Sequence, residues 1–584
     1  MQNDNNKNII LASILSAIIL ISWTWLYEKP QMAAKSNQAK QQAIGTNRDN
    51  ASNQGNNTQQ PPTNYKSTIL PRDEIINQDK KNRIQIKTPE LSGSINLKGA
   101  IFDDITLVNY KQTLQKDSPD VVLLSPDKAI DKFLVDFGFK PFYGIATGNL
   151  LNNIDFPDTN TLWESDANIL TPQSPITLSW QNQQNVTFLI KIAVDEHYMF
   201  NVSQSIENNS SQDISLTLTS KIQHFLHKTN SSSYILHEGP IGVFDGILKE
   251  KNYTSLIDAK TSDENSFYAQ NGWIGVTDKY WLVSIIPDKK TGFNTTFSHQ
   301  SQNPGDLYIT DFVSDKFQVK SGTKTSFQQK MFAGAKKVSL LDEYSKQYDI
   351  ALFDRAVDFG WYYFLTKPFF FILKFFNQIF GNYGLAILSI TVLVKLVMFP
   401  LASKSYRAIA RIKQLQPKID KIREQHKDKK MQMNKEIMEM YKREKVNPVS
   451  GCLPMLVQIP VFFSLYKVLY LTIDMRHAPF YGWIKDLSAP DPTSIFNLFG
   501  LLPFDTSGIF MIGVWPILMG VTMIIQQSLN PKPADPTQAK VMRILPFILI
   551  FVFATFPSGL LIYWTWSNTL SILQQWFITK KLNK

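Results

Sequence analysis

The stretch SKSYRAIARIKQLQPKIDKIREQHKDKKMQMNKEIMEMYKREKVNP, residues 403–448, carries fourteen Lys and Arg against six Asp and Glu and lies between two apolar runs. Short basic loops of this kind stay on the cytoplasmic side of a membrane. Fixing this loop inside therefore fixes the sidedness of everything before and after it. Its apolar residues also recur at helical spacing: Ile409, Ile412, Leu415, Ile419 and Ile422, then Met433, Ile437, Met440 and Tyr441 after a turn near HKDKK. That period predicts two amphipathic helices forming an antiparallel hairpin over 402–447. A solvated charged loop is the plainer alternative, and the two are compatible. Acids interleave with the basic residues and stacking aromatics are few, so no nucleic-acid specificity is expected.

Working outward, apolar runs near the ~20 residues that a bilayer requires lie at 383–401, 452–472, 508–528, 541–556 and 558–577. Near the N-terminus, Ile9 to Leu26 is uninterrupted, with Trp23, Trp25 and Tyr27 placed as an interfacial belt. The run is longer than a signal-peptide core and no A-x-A site follows it, which reads as an uncleaved signal-anchor over 8–27 with residues 1–7 in the cytoplasm. Residues 361–380, WYYFLTKPFFFILKFFNQIF, are apolar but carry Lys367, Pro368, Lys374, Asn377 and Gln378. If this segment spanned, the basic loop would land outside, so 336–382 is read as a connecting segment with an interfacial amphipathic helix. The chain then has six spans, loops 473–507 outside and 529–540 inside, and a basic tail, 578–584, in the cytoplasm.

Between the first two spans the character is different. Residues 28–66 have almost no apolar content and read as a flexible tether. NRIQIKTPELSGSINLKGAIFDDITLVNY (82–110) and NVTFLIKIAVDEHYMFNVSQSI (185–206) alternate with period two, which predicts a large all-β sandwich over 67–335 on the outer side. His197, His224, His227 and His237 are scattered through it and suggest no catalytic constellation. The fold class is thus an α-helical polytopic membrane protein with a large external β-sandwich. The net charge of +11 sits mainly in the one loop, which favours topology over a polyanionic partner. With Cys452 as the only cysteine no disulfide is available, and neither C-x-x-C, H-E-x-x-H nor a Walker-type loop occurs, so no cofactor, metal or nucleotide site is expected.

Within LSITVLVKLVMFP, 388–400, one lysine interrupts an apolar run. A charge at mid-bilayer costs roughly 2.5–3.5 kcal/mol on insertion scales. Lys395 lies five residues before Pro400, roughly 8 Å from the helix end at 1.5 Å per residue. Snorkelling to the interface is therefore open to it. The alternative is a wet concave surface, and other polar residues favour that reading: Thr391 one turn earlier, Gln458 between Pro454 and Pro460, and Tyr563, Thr565, Ser567, Asn568 and Ser571 on the last span. Simple interhelical hydrogen bonding explains the hydroxyls better than it explains the lysine. Intramembrane Asp and Glu are nearly absent, which weighs against a proton relay. Lys467, toward the outer half of its segment, reads as an anchoring or snorkelling residue.

KREKVNPVSGCLPMLVQIPVFFSLYKVL (442–469), HAPFYGWIKDLSAPDP (477–492) and FPSGLLIYWTWSNTLSILQQ (556–575) closely resemble the YidC membrane protein insertases, the bacterial branch of a family that includes the mitochondrial Oxa and chloroplast Alb proteins. The resemblance implies an inner-membrane insertase and chaperone, not an enzyme, working without ATP or cofactor. Five core helices would surround a hydrophilic groove open to cytoplasm and lipid, with both termini cytoplasmic and the β domain periplasmic and mutarotase-like in fold. It implies nascent membrane proteins as substrates, and the Sec translocon, the ribosome and membrane lipids as partners. It also places Lys395, Thr391, Gln458, Tyr563, Trp564 and Ser567 in the substrate groove. Lys395 stands where relatives usually carry arginine, keeping the charge but losing the bidentate fork. Trp564 stands where many relatives have tyrosine.

A small-solute or lipid transporter is the alternative, but it predicts broken helices at the midplane with repeat symmetry, and no repeat is visible. A periplasmic scaffold is a third. Deleting residues 67–330 and assaying insertion of a small single-span substrate separates them: an insertase retains insertion, whereas a scaffold loses its function.

Overall fold

The computed structural model describes residues 70–582, without 128, 130–131, 142–153, 228–235, 260–261, 290–291, 303–304, 361, 427–428, 448–452, 503–510 and 532–535. The expected signal-anchor, tether and Cys452 lie outside the described residues.

Period-two alternation converts directly into burial. Along Val186–Val194 every second side chain, from Val186 through Phe188, Ile190 and Ile192 to Val194, is buried. This strand pairs antiparallel with Met199–Asn208, which pairs with Thr323–Ala335, and Trp281–Pro287 lies beyond. Among the described residues these belong to a nine-stranded sheet. An eleven-stranded sheet, in which Ile214–His227 is flanked by Phe133–Pro141 and Gly305–Ser314, completes the sandwich. The two inner faces meet through contacts such as Phe102 against Phe200, edge to face at 5.5 Å. The expected all-β sandwich is what the chain forms.

Helices of the C-terminal region are numbered in chain order: α1 (Val338–Gln347), α2 (Tyr363–Phe380), α3 (Tyr383–Val397), α4 (Phe399–Gln414), α5 (Gln416–Gln425), α6 (Lys430–Arg443), α7 (Leu453–Leu471), α8 (Val514–Leu529), α9 (Pro536–Phe553) and α10 (Ser558–Leu582). The junction of α2 and α3 is written in Gly381-Asn382. Gly381 takes a left-handed backbone (φ +63°) that stops α2, and Asn382 at once caps α3 by accepting from the Leu385 amide at 3.1 Å. At Gly384 a Cβ would lie 1.9 Å from the Phe480 ring, so glycine lets the loop after α7 close over the start of α3.

Three expectations need correction. The span expected over 383–401 is not one helix: α3 ends at Val397 and α4 leaves at a 68° bend. Pro400 is the cause, since it lacks an N–H to bond and its ring clashes with the carbonyl of the preceding turn. Among the described residues no single helix is long and apolar enough to cross a membrane, and α3 and α4 pass that test only as a bent pair. At 15 residues α3 is about 22 Å long, less than the ~30 Å of hydrocarbon. Second, the hairpin has three helices, because Pro417 breaks its first limb into α4 and α5. Its apolar seam is Ile412, Leu415 and Ile419 against Met433, Ile437, Met440 and Val446. Third, the run at 541–556 belongs to a helix that begins earlier, at Pro536, and ends at Phe553.

The sandwich and helices are bolted together. Phe353, in a short 3₁₀ turn (Phe353–Ala356), is fully buried between Trp273 (5.3 Å) and Phe332 (5.6 Å), and the Trp273 indole donates to the Ala351 carbonyl at 3.0 Å. Lys467 does not snorkel but pairs with Asp358 at 2.9 Å. Arg476 donates to the Lys111 and Gln112 carbonyls of the sandwich at 2.6 and 3.1 Å. On α2, Lys367 donates to Asp342 on α1 and Asp354, each at 2.7 Å, and to Tyr363 at 2.8 Å. Burial alone would lower the Lys367 pKa, but hydrogen bonds to Asp342, Asp354 and Tyr363 raise it well above the ordinary lysine value.

Replacing Lys367 by Met strands two half-buried carboxylates. The unfolding free energy of the detergent-solubilised protein is expected to fall by about 2–3 kcal/mol, read by denaturant titration, with Lys367→Arg retaining most of it.

Candidate functional site

α10 is mixed in composition, yet its polar residues are ordered. Tyr563, Ser567, Ser571 and Gln575 recur every four residues, which on a helix makes a single stripe, and all four are buried. Lys395 of α3 and Gln458 of α7 meet this stripe at Ser571 and Tyr563.

Lys395 is half-buried, two residues from the end of α3, and points inward. Its Nζ donates to Ser571 Oγ at 2.8 Å and approaches Gln458 Oε1 at 3.5 Å. Gln458 Nε2 in turn donates to the Tyr563 hydroxyl, and Ser567 is buried one turn farther along the same face of α10. Ser571 passes its own hydrogen to the Ser567 carbonyl at 2.9 Å. A continuous polar network thus runs from the ammonium along α10. No carboxylate faces Lys395 among the described residues; its partners are neutral oxygens. Such a site solvates a cation without neutralising it, leaving its field available to an anion.

Four of the six residues expected in the site, Lys395, Gln458, Tyr563 and Ser567, converge here. Thr391 shares the face of Lys395 and is buried, but its hydroxyl donates back to the Ile387 carbonyl at 2.6 Å. Trp564 stands apart: it packs edge to face on Phe462 at 4.8 Å and Phe553 at 4.6 Å, in an aromatic cluster that also holds Phe556 and Tyr466. Ser571, the closest partner of the lysine, was among the polar residues of the last span but not among the six. Its signal was its place four residues after Ser567. Farther along α10, Asn568 donates to Thr522 at 3.2 Å, and Gln575 reaches the Leu529 carbonyl and Asn530 Oδ1, each at 3.3 Å, tying α8 to α10. Among the described residues no group of three or more His, Cys, Asp or Glu is placed to hold a metal ion.

Comparison with known proteins now adds to the geometry. Residues 375–584 match the family described as 60Kd inner membrane protein, and residues 83–372 match the YidC periplasmic domain. A membrane protein insertase YidC from Rickettsia bellii is 47% identical over 580 residues, covering 99% of each chain. One from Rickettsia felis is 46% identical over 580 residues, covering 99% of this chain and 100% of the relative. Among solved structures, an active YidC insertase with its first transmembrane domain resolved is similar at 16% identity and a TM-score of 0.34, over 84% of this chain and 92% of that one.

Trp564 serves packing. Trp564→Ala is expected to lower stability by about 3 kcal/mol through the cavity it leaves, seen as a lower unfolding midpoint, with Trp564→Phe recovering most of the loss.

Proposed function

This chain belongs to the YidC family of membrane protein insertases, and from that membership we propose that it inserts nascent membrane proteins through a hydrophilic groove lined by Lys395, Gln458, Tyr563, Ser567 and Ser571, without ATP. Thr391 lies on the groove face of α3 and Trp564 braces the wall behind. The chain sits in the bacterial inner membrane with its β-sandwich in the periplasm, six spans and both termini in the cytoplasm. The observation that carries the reading is the inward turn of Lys395 onto Ser571 at 2.8 Å, in place of a snorkel toward lipid headgroups.

The physics is a lowered barrier. A polar tail crossing hydrocarbon costs a few kcal/mol for each charged residue at the midplane. A wet notch entering from the cytoplasmic side shortens that path, and the short α3 contributes to it. Lys395 keeps the notch hydrated and attracts acidic tails. The apolar substrate helix leaves sideways into lipid, and the removal of its surface from water, worth about 25 cal/mol per Å², drives the process. The basic hairpin receives substrate at the cytoplasmic mouth. No covalent chemistry is required.

The test is insertion of a single-span substrate with an acidic periplasmic tail. Lys395→Glu, which sets like charges face to face, is expected to slow it on the order of tenfold or more, and Lys395→Ala less. Unchanged insertion in both variants would return the lysine to a structural role.

A further inference from the structure

At 16 residues α8 is about 24 Å long, short of the ~30 Å of hydrocarbon that a span must cross. Its last turn is tied to α10, where Gln575 reaches the Leu529 carbonyl at 3.3 Å. Its beginning, Val514, follows a segment held on the side of the sandwich. There Arg476 bonds the Lys111 and Gln112 carbonyls, and the Ala489 carbonyl accepts from the Ser558 hydroxyl at 2.8 Å. The hydrocarbon that α8 leaves uncovered is thus on the sandwich side, where the chain is not helical.

Residues 495–502 of that segment, IFNLFGLL, carry no charge. They expose Phe496, Leu498, Phe499, Leu501 and Leu502, with Leu501 83% open. The backbone holds these side chains out: Leu498 and Phe499 both take the left-handed conformation, φ +49° and +59°, which bulky residues rarely adopt. The loop also pairs its own amides. Phe499 donates to the Ser494 carbonyl at 2.7 Å, Leu502 to Asn497 at 3.0 Å, Leu498 to Ile495 at 3.2 Å and Leu501 to Leu498 at 3.3 Å. Internal pairing of this kind is what irregular backbone needs where no water can satisfy it. The base is clamped to α8. Ile495 donates to the Ile512 carbonyl at 2.9 Å, and the buried Asp491 carboxylate accepts from the Trp483 indole at 3.1 Å and the Trp515 amide at 2.9 Å. Beyond the clamp, α8 exposes Leu518, Val521 and Ile525 on one face.

We propose that residues 495–502 form a lipid-inserted loop, seated among the acyl chains of the leaflet next to the sandwich, where it completes the span that α8 is too short to make alone. Its partner is the bilayer itself. A rigid, uncharged loop whose amides are already paired suits hydrocarbon, and the apolar surface of α8, a helix of an inner-membrane protein family, continues from it. Tyr481 and Trp483, exposed beside the clamp, take the headgroup level, where amphipathic rings collect. The inference rests on the membrane placement of the helices proposed above.

The experiment uses the full chain with Cys452, its only cysteine, replaced by serine, in vesicles of phosphatidylethanolamine and phosphatidylglycerol. A fluorophore is attached to a cysteine at Leu501 and, in separate proteins, at Ile548 of α9 and at Ile247, beside the turn of a sandwich hairpin; all three side chains are exposed. Quenching is read with nitroxide on the lipid acyl chains and, separately, with iodide in the water. The Leu501 label is expected to be quenched by the nitroxide about as strongly as the Ile548 label and several-fold more than the Ile247 label, which iodide quenches instead. Iodide quenching at Leu501 with nitroxide quenching kept at Ile548 overturns the proposal and leaves the helices in the membrane, the shortfall of α8 then being met by a thinner bilayer. Disulfide-linked dimers of the unlabelled Leu501→Cys protein, without lipid contact at that position, assign the patch to a second copy and overturn it equally. Loss of nitroxide quenching at Ile548 as well overturns the membrane placement and the loop together.

Discussion

An ammonium among apolar helices, faced by no carboxylate among the described residues, is the constraint on which the helical region depends. Burying such a charge is costly unless its hydrogen bonds are met. Here they are met from two neighbouring helices: α7 supplies a carboxamide and α10 a serine. The requirement explains why α10 carries a polar residue at every fourth position on one buried face, where apolar side chains would pack as well. It also explains the order of the bonds. Ser571 and Gln458 are each engaged on both sides, so neither turns away from the lysine without leaving another group unpaired.

The two ends of the molecule are fastened differently. On the side of the sandwich, Lys467 with Asp358, Lys367 with Asp342 and Asp354, and Arg476 with two backbone carbonyls make directional, half-buried contacts. The Lys279 ammonium lies 3.6 Å from the centre of the Tyr470 ring and adds a cation–π contact at the same level. On the side of the hairpin, Ala402, Tyr406 and Ile409 of α4 pack on Ile578 of α10 in a small apolar cluster separate from the main core.

Much of this was legible in the sequence, and where it was not the reasons are specific. Alternation in Val186–Val194 and the spacing from Ile412 to Met440 translate into buried faces because period and burial are the same information for a strand or an amphipathic helix. The prolines at 400 and 417 were equally visible, but hydropathy over a window averages across them, so the bend and the broken limb went unread. Lys395, Gln458, Tyr563 and Ser567 converge because polar groups on apolar helices have few partners other than one another. Thr391 had an alternative, its own backbone, and took it. Trp564 was assigned by likeness to a motif, and nothing in its chemistry distinguished a groove wall from a packing cluster. Tyr406 lay in a charged loop, where no one-dimensional pattern indicates that it packs with Ile578 of the last helix.

Phe353 carries a consequence for how the chain is made. Its ring completes the interior of the sandwich between Trp273 and Phe332, yet it comes from beyond the last strand, just ahead of α2. During vectorial synthesis the strands emerge first and have every cross-strand partner they need, but the domain stays unsealed until the linker has also been delivered to the far side. Final consolidation of the sandwich is thereby timed to the arrival of the linker between α1 and α2, and a ribosome-bound chain halted at the end of the last strand would hold an open, unfinished core.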